Sequence, residues 1–331
     1  MELVLAFLGV AAVILAVNVL ERRGVPLEKR LLDWLMFAFN GLVLLTGLAL
    51  LAAPEELLLA SGQALPPMIT DFDAFGWIVA LMGAWGGLCS LAPFRRWLGR
   101  FLPLDPASAV QALALVFSGY LAGQTALALS QGGLAGLVQT AEPASIGLFV
   151  LSELALAAAA FLGAGLLVRR DWPGLFRRLG LTRPAPGQLL IGTALIPVLV
   201  VLQAVAALLY AQLNPSAAGA VEDLTGLLLE NMDTVWEWLL LAVAAGVGEE
   251  ILFRGALQPR FGLALTSVLF ALVHVQYGFT AIQLFIVLLA LILGLIRRHF
   301  NTTTAVYVHA GYNFILGLLA LVAASFPELM P

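Results

Sequence analysis

The chain has 331 residues, 62% of them hydrophobic and only 11% charged, with a formal net charge of −4. So little charge over so long a chain excludes a soluble globular domain. Long apolar runs recurring from end to end predict an all-α, polytopic membrane helix bundle, surrounded by membrane lipids and with no nucleic-acid partner.

The first run, MELVLAFLGVAAVILAVNVL, has no basic residues ahead of it and no clear small-x-small cleavage site. It therefore reads as a retained first helix rather than a signal peptide. In chain order the apolar runs give about ten transmembrane spans: roughly 2–20, 31–53, 76–94, 107–129, 145–168, 188–212, 235–257, 262–276, 280–296 and 303–325. The eighth is short for a bilayer core of about 30 Å.

The 16 basic residues alternate with these spans. Arg22, Arg23, Lys29 and Arg30 fall in the first connection; Arg95, Arg96 and Arg100 in the third. Arg169, Arg170, Arg177, Arg178 and Arg183 fall in the fifth, Arg254 and Arg260 flank the seventh, and Arg297 and Arg298 lie in the ninth. The even connections and both termini have none. By the positive-inside rule the odd connections are cytoplasmic and both termini non-cytoplasmic, as expected of a multi-pass protein of a bacterial cell membrane.

Three even connections, PEELLLASG, GGLAGLVQTAE and AGAVEDLTGLLLENMDTVWEW, are acidic and semi-apolar, as short interfacial helices are. Trp34, Trp77, Trp97, Trp172, Trp236 and Trp238 fall near span ends, where an aromatic belt sits. Basic, proline-rich residues 169–187 divide the chain into a five-helix N-terminal region, 1–168, and a second region, 188–331. Cys89, the only cysteine, lies in an apolar stretch and reads as a packed thiol.

The polar residues that apolar helices seldom tolerate concentrate in the second region. Glu249 and Glu250 stand together in VWEWLLLAVAAGVGEEILFRGAL. Intramembrane acids pair with a cation, line a cavity or do chemistry. Residues four apart share a helix face, so Glu250 meets Arg254, while Glu249 points about 100° away. Phe270 and His274 repeat the spacing, as do His309 and Asn313. Together these residues offer a general base, a second imidazole and two hydrogen-bond donors, a set suited to activating water and stabilising a tetrahedral oxyanion. Glu153, outside this set, is an intramembrane acid with no partner in its own segment.

The ordered motifs Glu249-Glu250-x-x-x-Arg254, Phe270-x-x-x-His274 and His309-x-x-x-Asn313 resemble the CPBP (CAAX protease and bacteriocin-processing) family of intramembrane glutamic endopeptidases. The resemblance covers about residues 170–331 and makes 188–331 a CPBP-like protease core. It implies that Glu249 is the general base, that His274 helps hold the attacking water, and that His309 and Asn313 form the oxyanion hole. Glu250 and Arg254 would orient the helix, with Phe270 packing beside the site. The implied activity is hydrolysis of a peptide bond in a peptide or membrane-anchored protein near the cytoplasmic membrane face. Only 19 residues separate Glu250 from Phe270, short for the eukaryotic prenyl-protein branch, which favours a prokaryotic-type member.

No cofactor is expected. Zinc is the minority reading, with Glu249, His274 and His309 as ligands, although HExxH is absent. The alternative functional reading is a non-hydrolytic membrane transporter, or a bacteriocin-immunity or binding protein that keeps the fold.

Overall fold

The structure is a computed structural model that describes residues 2–52, 69 and 71–326. The described residues are helical almost throughout. In order they form α1 (Glu2–Arg23), α2 (Pro26–Ala52), α3 (Phe72–Ser90), α4 (Ala92–Leu98), α5 (Ala109–Ser130), α6 (Gly133–Thr140) and α7 (Ile146–Gly163). Then come α8 (Trp172–Leu179), α9 (Pro186–Leu213), α10 (Pro215–Leu229), α11 (Val235–Glu250), a π-helical segment (Ile251–Leu257), α12 (Gln258–Leu272), a 3-10 turn (Val275–Tyr277), α13 (Ala281–His299) and α14 (Thr302–Ser325).

Eight of these, α1, α2, α3, α5, α7, α9, α13 and α14, are long and apolar enough to cross a membrane. Together they support a multi-pass membrane protein. The other two of the ten expected spans fall on helices shorter than these. The expected span 235–257 is an α-helix of 16 residues that continues as the π segment. The expected span 262–276 falls on α12, only 15 residues long and broken at Gly262, whose φ of 75° and ψ of 170° are not helical.

The core gathers Cys89, Leu115 and Val116 from the first region with Phe253, Phe270, Leu293 and Val308 from the second. One packed interior thus runs across the two regions. The basic connection 169–187 is itself built into the bundle. Asp171 caps α8 by accepting from the Gly174 N–H, and Leu175 and Leu179 are fully buried beside Ile251. The N–H of Thr302 donates to the Gly180 carbonyl at 2.9 Å, pinning the end of α8 to the start of α14.

Two of the three acidic connections form the expected short helices, α6 and α10; PEELLLASG lies outside the described residues. Trp34, Trp77, Trp97, Trp172 and Trp236 are exposed, as belt residues are. Trp238 is not one of them: it is buried, and its Nε1–H donates to the Met232 carbonyl at 2.9 Å.

Candidate active site

α11 starts on a capping box. The Thr234 hydroxyl accepts from the Glu237 N–H, and the Glu237 carboxylate accepts from the Thr234 N–H at 2.9 Å. Its other end is set by two close approaches. A Cβ on Gly246 would lie 3.0 Å from the Ala310 Cβ of α14. A Cβ on Gly248 would lie 2.3 Å from Glu153 Oε2 and 2.5 Å from the Glu153 carbonyl oxygen of α7. Glycine at both positions lets α7 and α14 close on α11 where the paired glutamates stand.

Directly after Glu250 the helix widens into its π segment. Such single-turn widenings are rare and frequent at functional sites. Glu250 is fully buried and Arg254 is 1% exposed. Arg254 Nε lies 3.1 Å from Glu250 Oε2, and its guanidinium carbon sits 4.0 Å from the Phe270 ring centroid. The predicted Glu250–Arg254 pair is therefore present. Spacing alone did not reveal its third member: His309 Nδ1 is 2.9 Å from Glu250 Oε1. Glu250 bridges Arg254 and His309, one on each oxygen.

Glu249 faces elsewhere, as the helical phase requires. Its Oε2 lies 4.0 Å from His274 Nε2. That oxygen is buried and accepts no hydrogen bond from protein. His274 Nδ1 is 2.8 Å from the Phe270 carbonyl oxygen. A carbonyl only accepts, so Nδ1 carries the proton, and in the neutral ring Nε2 presents its lone pair to Glu249. The two paired groups thus both accept, at a separation one water oxygen spans with ordinary hydrogen bonds of about 2.8 Å.

Phe270, fully buried, is the hub of the arrangement. Its ring centroid is 4.8 Å from that of His274, 5.9 Å from that of His309 and 5.3 Å from that of Phe253. Asn313 follows His309 by one turn of α14 and is half-buried. Tyr277 stacks on His274 at 6.2 Å and 11°. It also lines a cavity of about 770 Å³ with Gln203, Glu222, Trp238 and Ile282. Neither Glu249 nor His274 lines that cavity.

Glu153 is the residue sequence reasoning weighed too lightly. It is buried on α7, its Oε2 has no partner, and Glu249 acts on it electrostatically. It is a third acid beside the paired two. An intramembrane acid without a partner in its own segment was the available signal.

Among the described residues no group of three or more His, Cys, Asp or Glu side chains is disposed to hold a metal ion.

Comparison with protein families gives one match. Residues 231–315 match the model of type II CAAX prenyl endopeptidases, Rce1-like. This segment is similar to that family. It holds all seven motif residues, from Glu249 to Asn313, within the stretch whose motifs resemble the CPBP family. No curated protein and no solved structure matches the chain. The Rce1-like segment comprises α11, the π segment, α12, α13 and half of α14, together with the last residues before α11. α7, which brings Glu153, lies outside it.

Proposed function

We propose that the chain is an intramembrane endopeptidase in which Glu249 and His274 activate water and His309 and Asn313 stabilise the oxyanion. The observation that carries the reading is the Glu249–His274 pair, 4.0 Å apart, with the His274 tautomer fixed by the Phe270 carbonyl. A water held between the two donates one O–H to each. Glu249 takes a proton as the water oxygen attacks the scissile carbonyl carbon. The carbonyl electron pair moves to oxygen, and the tetrahedral oxyanion accepts from His309 Nε2–H and Asn313 Nδ2–H. To donate from Nε2 while Nδ1 donates to Glu250, the His309 ring must carry both protons, and Glu250 is the counter-charge for that form. Collapse breaks the C–N bond and returns the proton from Glu249 to the leaving amine.

The substrate is a peptide or membrane-anchored protein. In this reading the site opens toward the cytoplasmic face, which the arginine-bearing helix ends support through the positive-inside rule. Quantitative proteomics of membranes carrying the wild-type protein or Glu249→Gln tests the reading. Substrate-derived new termini should appear with the wild type and vanish with the variant, at equal levels of folded protein. Undiminished cleavage by Glu249→Gln refutes the mechanism.

A further inference from the structure

A second cavity, of about 280 Å³, lies where the first helices meet the Rce1-like segment. Its walls are apolar: Val10 and Ile14 from α1, Phe117 from α5, Ala159 from α7, Leu252 from the π segment and Leu269 from α12. Arg169, Arg170, Arg178 and Arg260 also line it. Four guanidinium groups against hydrocarbon walls need counter-charge.

Among the described residues one carboxylate pairs with these arginines, and it is committed. Glu21 pairs through Oε1 with Arg169. Its Oε2 accepts from the Ser108 hydroxyl at 2.8 Å and the Val110 N–H at 2.9 Å, capping α5. Arg178 is held by carbonyl oxygens, donating to Gly255 at 3.0 Å and Ala256 at 3.3 Å. Arg170 donates to the Ala164 carbonyl. Among the described residues no carboxylate pairs with Arg170, Arg178 or Arg260. Burial, then the surrounding Arg260, Arg170, Arg297 and Arg169, bring the Arg178 guanidinium down to about 10. Burial and then Arg169 and Arg260 lower Arg170 as well.

We propose that this cavity is a binding site for an anionic phospholipid, its phosphate held by Arg170, Arg178 and Arg260 and an acyl chain seated between α1, α5, α7 and α12. Charge complementarity selects the head and the apolar walls select the chain. The site joins the N-terminal helices to the Rce1-like segment. Its occupant rests on Leu252 and Ala256, in the same π segment as Arg254. The N-terminal helices thereby gain a role that the protease motifs do not give them.

Native mass spectrometry of the full-length, detergent-purified protein tests this with dioleoylphosphatidylglycerol, dioleoylphosphatidylcholine and glycerol 3-phosphate. Phosphatidylglycerol should bind at least tenfold more tightly than phosphatidylcholine, and glycerol 3-phosphate should not displace it. Arg170→Gln with Arg260→Gln should abolish the preference. Ala159→Phe, which fills the apolar part, should weaken phosphatidylglycerol at least tenfold. Each variant is taken forward only if its melting temperature and monodispersity match the wild type; Ala114→Phe replaces Ala159→Phe if that one fails. Equal binding of the two lipids overturns the proposal. So does displacement by glycerol 3-phosphate at the affinity of the lipid, which would make the site one for free phosphate.

Discussion

Arg254→Met removes the cation from the fully buried centre of the site. Arg254 is 1% exposed and Glu250 fully buried, so solvent screens neither charge. At the observed 3.1 Å, Coulomb's law with an effective dielectric of about 20 gives an attraction of about 5 kcal/mol. Breaking such a pair from one side leaves an uncompensated buried charge, which typically costs about 3–5 kcal/mol. Arg254→Met and Glu250→Gln alone should each lose about that much. Glu250→Gln combined with Arg254→Met removes both charges, and its glutamine oxygen still accepts from His309 Nδ1–H. The double variant should lose under about 2 kcal/mol, giving a coupling of at least about 4 kcal/mol. Reversible unfolding in mixed micelles titrated with dodecyl sulfate, followed by tryptophan fluorescence, measures all four proteins. If the double variant is as unstable as the sum of the singles, the buried pair is not what stabilises this region.

Gly248→Ala should cost about 1–3 kcal/mol, because its Cβ would fall 2.5 Å from a main-chain oxygen of α7 that cannot swing aside; the same unfolding assay checks it. Gly187→Ala, with nothing within 4 Å, is its neutral control. Gly262→Ala should cost about 1–3 kcal/mol because its φ of +75° and ψ of 170° suit only glycine. Since His274 follows directly after α12, peptide cleavage should fall with it, measured on membranes of equal protein content. Wild-type stability of Gly262→Ala would refute the assigned backbone conformation.

The helical nature of the chain and the Glu250–Arg254 ion pair were legible in the sequence. Apolar run length identifies helices because bilayer burial requires it. The Glu250–Arg254 pair follows from residues four apart sharing a face, and the separate direction of Glu249 follows from the same period. Other features were not legible. Hydropathy did not show that two of the expected spans are interrupted, one by the π segment and one at Gly262. The docking of the basic connection through Leu175 and Leu179 was hidden because the surrounding charges mask the two leucines.

The sequence by itself determined which groups are present near the site and which of them share a helix. Only the tertiary structure decided the partners across helices. It gave Glu250 to His309, Glu249 to His274, and added Glu153 from a helix nearly a hundred residues upstream. It likewise gathered Arg169, Arg170, Arg178 and Arg260 around one apolar cavity. The reason is geometric. Spacing along a helix is fixed by 3.6 residues per turn. Contacts between helices are fixed by where they cross, and here Gly246 and Gly248 allow the close crossings, in a three-dimensional packing that no single segment encodes.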